Sequence, residues 1–148
     1  MLSAPLDHAW IAAHIPHQGR MCLLHRVIEW SGQRIVCEAI GHTDPGNPLR
    51  EAGRLGAATG VEYAAQAMAV HGALLAPGDT PPTRGYLTSV RGLNLHTERL
   101  DDVDGPLTVT AERLSGDARL ILYQFTLHGG ERCLLDGRAS VVLDAQSL

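Results

Sequence analysis

Cysteine is scarce in this chain, and what there is does not pair. Cys22, Cys37 and Cys133 stand far apart, with no CxxC couple among them, so neither a zinc ribbon nor a thioredoxin-type motif is available. Each lies in an apolar run, where a cysteine acts as a small buried hydrophobe in a reducing compartment. Long apolar runs are also missing. None approaches the roughly 20 residues of a membrane span, so no membrane partner is expected. The first residues, MLSAPLDHAWIAAH, lack the basic and apolar regions of a secretory signal, which makes the cytoplasm the expected location. Clustered positive charge is absent too. The net charge is −4, the pI is near 6.0, and the arginines are scattered, so nucleic acid is not an expected partner. There is no HExxH, GxGxxG, P-loop or GxSxG, and neither a metal nor a nucleotide cofactor is implied.

What remains is an ordinary globular composition, 45% hydrophobic and 19% charged over 148 residues. That suits a single domain, residues 1–148, able to bury about two-thirds of its unfolded surface. Asp7 to His14 reads as a short helix ended by Ile15-Pro16. Met21 to Val27 reads as a buried strand. Residues 28–40, with a Ser31-Gly32-Gln33 turn, read as a hairpin. His42 to Gly53 is rich in Pro, Gly and Asn and should be a loop, long enough to suggest a functional one. Leu55 to Leu75, crowded with alanine, is the one convincing long helix, closed by Pro77-Gly78, and its small residues suggest that other structure surrounds it closely. Four extended stretches follow: 86–96, 107–114, 120–128 and 132–143. Their connectors are short, which favours antiparallel pairing. The expected fold class is therefore α+β, an antiparallel sheet wrapped around one long central helix.

Three stretches carry a resemblance. Ile15-Pro16-His17-Gln18-Gly19-Arg20-Met21-Cys22-Leu23-Leu24-His25-Arg26-Val27 is the first. His42-Thr43-Asp44-Pro45-Gly46-Asn47-Pro48, followed by Gly60-Val61-Glu62-Tyr63-Ala64-Ala65-Gln66, is the second. Arg84-Gly85-Tyr86-Leu87-Thr88-Ser89-Val90-Arg91-Gly92-Leu93 is the third. In this order they resemble the β-hydroxyacyl-ACP dehydratases of the hot-dog fold, and most closely the dehydratase-like proteins of aryl polyene gene clusters. The loop departs from the family pattern by one extra residue, and the stretch from Pro48 to Glu62 is longer than usual.

The resemblance implies a 3-hydroxyacyl thioester, on an acyl carrier protein or coenzyme A, dehydrated to a trans-2-enoyl thioester without a cofactor. Such chemistry needs a base for the C2 proton, an acid for the leaving hydroxyl and a donor for the carbonyl. His42, in the loop that feeds the helix, is the expected base; a loop histidine without a role is the alternative. Glu62 is the expected acid, although Thr59 and Glu62 also match a capping box. Gln66, one turn on, is expected to support the site or simply to pack. Gly53 and Gly60 are candidates to bring a backbone N–H to the thioester oxygen, and turn geometry explains them equally well. His17 is a candidate substrate contact or a structural histidine. The resemblance also implies a dimer, with itself or with another hot-dog subunit, whose sites take residues from both protomers. Arg50, Arg54 and Arg84 are candidates for a rim that docks an acidic carrier. Two other functions stay open: a thioester hydrolase on the same fold, and a non-catalytic partner subunit.

Overall fold

A computed structural model describes residues 3–76, 85–117 and 119–143. The short helix α1 spans His8–His14. Asp7 caps it by accepting the Trp10 N–H at 2.9 Å, the usual way to satisfy a free amide in a first turn. The hairpin follows as β1, Arg26–Trp30, and β2, Arg34–Ala39, joined around Ser31. Residues 22–25, expected in a strand, are not regular structure. They follow a 3₁₀ turn, Gly19–Met21, and Gln66 holds their backbone from below (described in the next section).

The long helix, α2, spans Gly60–Leu75 and so begins later than its composition suggests. The residues just before it are drawn into tertiary pairing. Leu55 N–H donates to Asp101 Oδ1 at 2.9 Å, and Leu55 C=O accepts from Leu100 N–H at 2.7 Å. Ala57–Thr59 then form a 3₁₀ turn that leads into the helix. The helix end predicted at Pro77-Gly78 lies outside the described residues. The remaining strands are β3, Gly85–Leu95; β4, Leu107–Gly116; β5, Leu120–Gly129; and β6, Arg132–Leu143.

All six strands form one sheet in the order β1-β2-β4-β5-β6-β3, with every neighbouring pair antiparallel. The strand after the helix therefore closes one edge instead of sitting mid-sheet. Alternation decides the inner face: Leu107, Val109 and Ala111 of β4 are buried, as are Ile121, Tyr123, Phe125 and Leu127 of β5, every second residue in each case. These side chains pack against Tyr63, Ala64, Ala67 and Val70 of α2. Alanine lets the sheet come close. Gly60 goes further: a Cβ there would lie 2.7 Å from Leu135 Cδ2, so with any other residue Leu135 would have to shift for the first turn of α2 to sit on β6. The architecture is a sheet wrapped around one long helix, as its pattern predicts.

Candidate functional site

The helix carries a line of residues facing one cavity. Glu62, Ala65, Ala69 and Gly72 recur at helical spacing on one side of α2, and all four border a cavity of about 290 Å³. Its other walls are Pro16 and His17, the start of β3 (Gly85, Tyr86, Leu87), and Ile121, Tyr123, Val141 and Leu143. From Glu62 to Gly72 the helical wall is roughly 15 Å long. Small side chains leave it open; a Cβ built on Gly72 would meet nothing within 4 Å. The described polar side chains at the Glu62 end are the carboxylate itself and the imidazole of His17.

His17 Nε2 lies 3.2 Å from Glu62 Oε1. The hydrogen bond from His17 holds the Glu62 carboxyl below the usual carboxylate range; partial burial opposes this, and Gln66 assists it. Glu62 is thus ionised near neutral pH. Thr59 does not form the expected capping box. It is already helical, and its hydroxyl donates back to Gly56 C=O at 2.6 Å. The Glu62 side chain is released from its own helix end and points to His17 instead.

Gln66 fixes that arrangement. Its Oε1 accepts Leu23 N–H at 2.9 Å, and its Nε2 donates to Met21 C=O at 2.6 Å and to Glu62 Oε1 at 3.3 Å. One fully buried amide therefore ties the segment that follows His17 to the helix turn that carries Glu62. This is a positioning role, made through other groups.

His42 stands elsewhere. It is 1% exposed, its Nε2 lies 2.9 Å from Val103 C=O, and its Nδ1 is buried without a partner. It does not border the Glu62 cavity of its own chain, so one protomer does not bring the two expected catalytic residues together. The loop around it is held by Asn47, which donates to Gly41 C=O at 3.1 Å and to the Tyr63 hydroxyl at 3.0 Å. Local geometry accounts for the two glycines. The Gly60 N–H is spent on the carbonyls of Ala57 and Ala58, so it has nothing to offer a thioester, and packing on Leu135 accounts for the residue. Gly53 is exposed at φ 77°, a turn glycine away from the cavity, with its carbonyl accepting from Arg50. Arg54 is exposed as well; Arg84 lies outside the described residues.

A further buried polar group lies on α2. His71 is fully buried. Its Nε2 meets Ser31 C=O at 2.8 Å, so it carries the proton. Its Nδ1 then accepts the Tyr123 hydroxyl at 2.7 Å. Burial holds the His71 pKa below its ordinary value and pushes the Tyr123 phenol up to about 12, so both stay neutral. Tyr123 forms part of the cavity wall. No local pattern marks this pair, because its partners come from the hairpin, the helix and β5.

A helix wrapped by an antiparallel sheet, with a carboxylate on the helix facing an apolar cavity at the sheet edge, defines a hot-dog fold protein. Solved structures agree on the fold. The dehydratase heterocomplex ApeI:P from Xenorhabdus doucetiae matches at 20% identity and a TM-score of 0.80, covering 93% of this chain and 92% of that one. A thioesterase superfamily member 2 from zebra fish matches at 14% identity and TM-score 0.63, over 93% and 95% of the two chains. A thioesterase from Haemophilus influenzae matches at 12% and 0.60, over 80% and 77%. No curated protein matches the sequence. A family model does: residues 9–147 match that of the ApeP-like proteins, described as ApeP dehydratase. The chain belongs to the ApeP-like dehydratase family.

Proposed function

We propose that this chain is a subunit of a 3-hydroxyacyl thioester dehydratase of the aryl polyene type, and that Glu62 and His17 are its reacting pair. The observation that carries this reading is the contact between them at 3.2 Å at one end of an otherwise mainly apolar cavity. An acyl chain would lie along Ala65, Ala69 and Gly72, with its thioester end beside the pair. The Glu62 carboxylate takes the C2 proton. Protonated His17 gives its proton to the C3 hydroxyl, which leaves as water while C2 and C3 form the double bond. The proton on Glu62 then returns to His17 across their hydrogen bond, and the pair is reset without a cofactor.

The subunit reading rests on the sheet edge. The first residues of β3 form a cavity wall, and β3 is an edge strand with Tyr86, Leu87, Leu93 and Leu95 exposed. An edge of this kind invites another strand, and a strand added there would close the cavity. The likeness to a heterocomplex favours a second, different hot-dog chain as the partner, with the substrate delivered on a carrier protein or coenzyme A. A second reading keeps His42 as the base. Its Nδ1 is buried without a partner, as is that of His17, and His42 needs an interface between two chains to reach a carboxylate.

The test is a dehydration assay with a 3-hydroxyacyl thioester, on the chain alone and with its hot-dog partner. Enoyl product and free thiol are followed by mass spectrometry. Glu62→Gln and His17→Ala should each lower enoyl formation about 10²- to 10⁴-fold, with His42→Ala close to wild type. Loss in His42→Ala with a normal His17→Ala assigns the base to His42. Free thiol without enoyl product makes the protein a thioester hydrolase. Wild-type turnover by the pair with Glu62→Gln makes this chain a non-catalytic partner.

A further inference from the structure

Away from the cavity, two irregularities in the sheet bring three side chains of different chemistry to one spot. β3 holds an extra residue between Arg91 and Asn94, relative to its β6 partners Arg138 and Asp136, with Gly92 at φ 58°. β6 holds an extra residue of its own: Leu127 pairs with Leu135, yet His128 pairs with Cys133. Residues three apart on a regular strand face opposite ways. The bulge at Leu134 cancels that alternation, so Leu134 and Leu135 both turn into the core, while Cys133 and Asp136 share the outer face. His96, just past β3, comes to the same place, with its N–H on Leu134 C=O.

Their polar atoms lie close enough to converge on one point. His96 Nε2 lies 2.7 Å from Asp136 Oδ2, and Cys133 Sγ lies 3.9 Å from the same oxygen. All three atoms fall within 4.8 Å of one another. A tetrahedral zinc, with bonds of about 2.1 Å to N and O and about 2.3 Å to S, holds its ligand atoms roughly 3.4–3.6 Å apart. The His96–Asp136 spacing is shorter than that range and the Cys133–Asp136 spacing longer, so a rotation of the half-exposed His96 ring would open the first and a rotation of the Cys133 side chain would close the second. The carboxylate is also oriented from behind: Asn94 Nδ2 donates to Asp136 Oδ1 at 2.9 Å, leaving Oδ2 for the shared point. Ligands in metal sites are commonly held in this way by a second hydrogen-bonding partner.

We propose that His96, Cys133 and Asp136 form a binding site for a borderline divalent cation, best matched by zinc, with a fourth position open to water. One nitrogen, one thiolate and one carboxylate suit zinc better than magnesium or calcium, which take oxygen alone. On binding, the thiol loses its proton to solvent, so each ion taken up releases a proton. The site is separate from Glu62 and does not depend on the reaction assigned there.

The experiment is titration of the full chain, stripped with chelator, by Zn²⁺ and separately by Co²⁺. Calorimetry should show one Zn²⁺ per chain with a dissociation constant of roughly 10 μM or tighter. Co²⁺ should give a thiolate-to-metal charge-transfer band in the wild-type protein, a result independent of any variant's folding. Cys133→Ser should abolish the band. Cys133→Ser, His96→Gln and Asp136→Asn should each weaken Zn²⁺ at least about tenfold, and Cys22→Ser should leave both readouts unchanged. No stoichiometric Zn²⁺, no cobalt–thiolate band, or binding that survives Cys133→Ser overturns the proposal.

Discussion

His17 and Glu62 meet at 3.2 Å although they come from opposite sides of the hairpin, one before the first strand and the other on the central helix. This contact holds the Glu62 pKa down, and it gives the pair a titration that can be followed directly. With the folded pKa depressed, the contribution to stability is complete above the unfolded value of about 4.3 and is lost as pH falls through the folded value. His17→Ala should move the Glu62 carboxyl back up, seen by carbon NMR of the side chain. It should also narrow the stability gap to wild type as the solution is acidified below about pH 4. An unmoved Glu62 resonance would show that His17 does not set its ionisation.

Gln66 is the tie between the two halves of that pair. Gln66→Leu keeps the volume and removes both partners of the Met21–Leu23 backbone. The buried Leu23 N–H then loses its hydrogen bond, at about 1–3 kcal/mol, and the part-buried Met21 C=O loses its own at a smaller cost. Urea unfolding should show the loss, and hydrogen exchange at the Leu23 amide should speed up more than exchange in the sheet.

Gly60→Ala should be destabilising despite alanine's better helix propensity. The new methyl would lie 2.7 Å from Leu135 Cδ2, and overpacking of this kind costs about 1–3 kcal/mol. Pairing it with Leu135→Val should recover part of the loss, since that change removes the offending carbon. If Gly60→Ala alone matches or exceeds wild type in thermal melts, the close approach is not limiting.

Gly72→Ala should do the reverse. The added Cβ meets nothing within 4 Å, and Ala is favoured over Gly inside a helix by about 0.5–1 kcal/mol. The melting temperature should rise. Because Gly72 borders the cavity, Gly72→Leu should lower activity more on long acyl substrates than on short ones.

His71 adds a pH dependence at higher pH. Its folded pKa is lowered by burial, so its neutral form contributes fully above the unfolded value of about 6.5, and that contribution drains away as pH falls below it. Denaturant midpoints should decline from about pH 6.5 downward in wild type. The decline should be shallower in His71→Gln, a variant less stable at neutral pH because it disturbs the Tyr123 and Ser31 contacts.

Much of this was present in the order of residues. Turn chemistry at Ser31-Gly32-Gln33, alternation in Leu107 to Ala111 and the alanine-rich run to Leu75 are local signals, and each is reproduced in the sheet and helix. They determined an antiparallel sheet around one helix, and the three resembling stretches pointed to the family. Glu62 was legible as a carboxylate set among apolar helix residues, and it does face the cavity. The tertiary structure decided what sequence spacing could not express. It set where α2 begins, because Leu55 pairs with residues past β3. It gave Glu62 the partner His17, with His42 turned to Val103. It joined His71 to Tyr123 and gathered His96, Cys133 and Asp136 through two bulges. Each of these depends on contacts between segments distant in the chain and on single-residue shifts of register. A local pattern carries no information about which distant atom a side chain will meet.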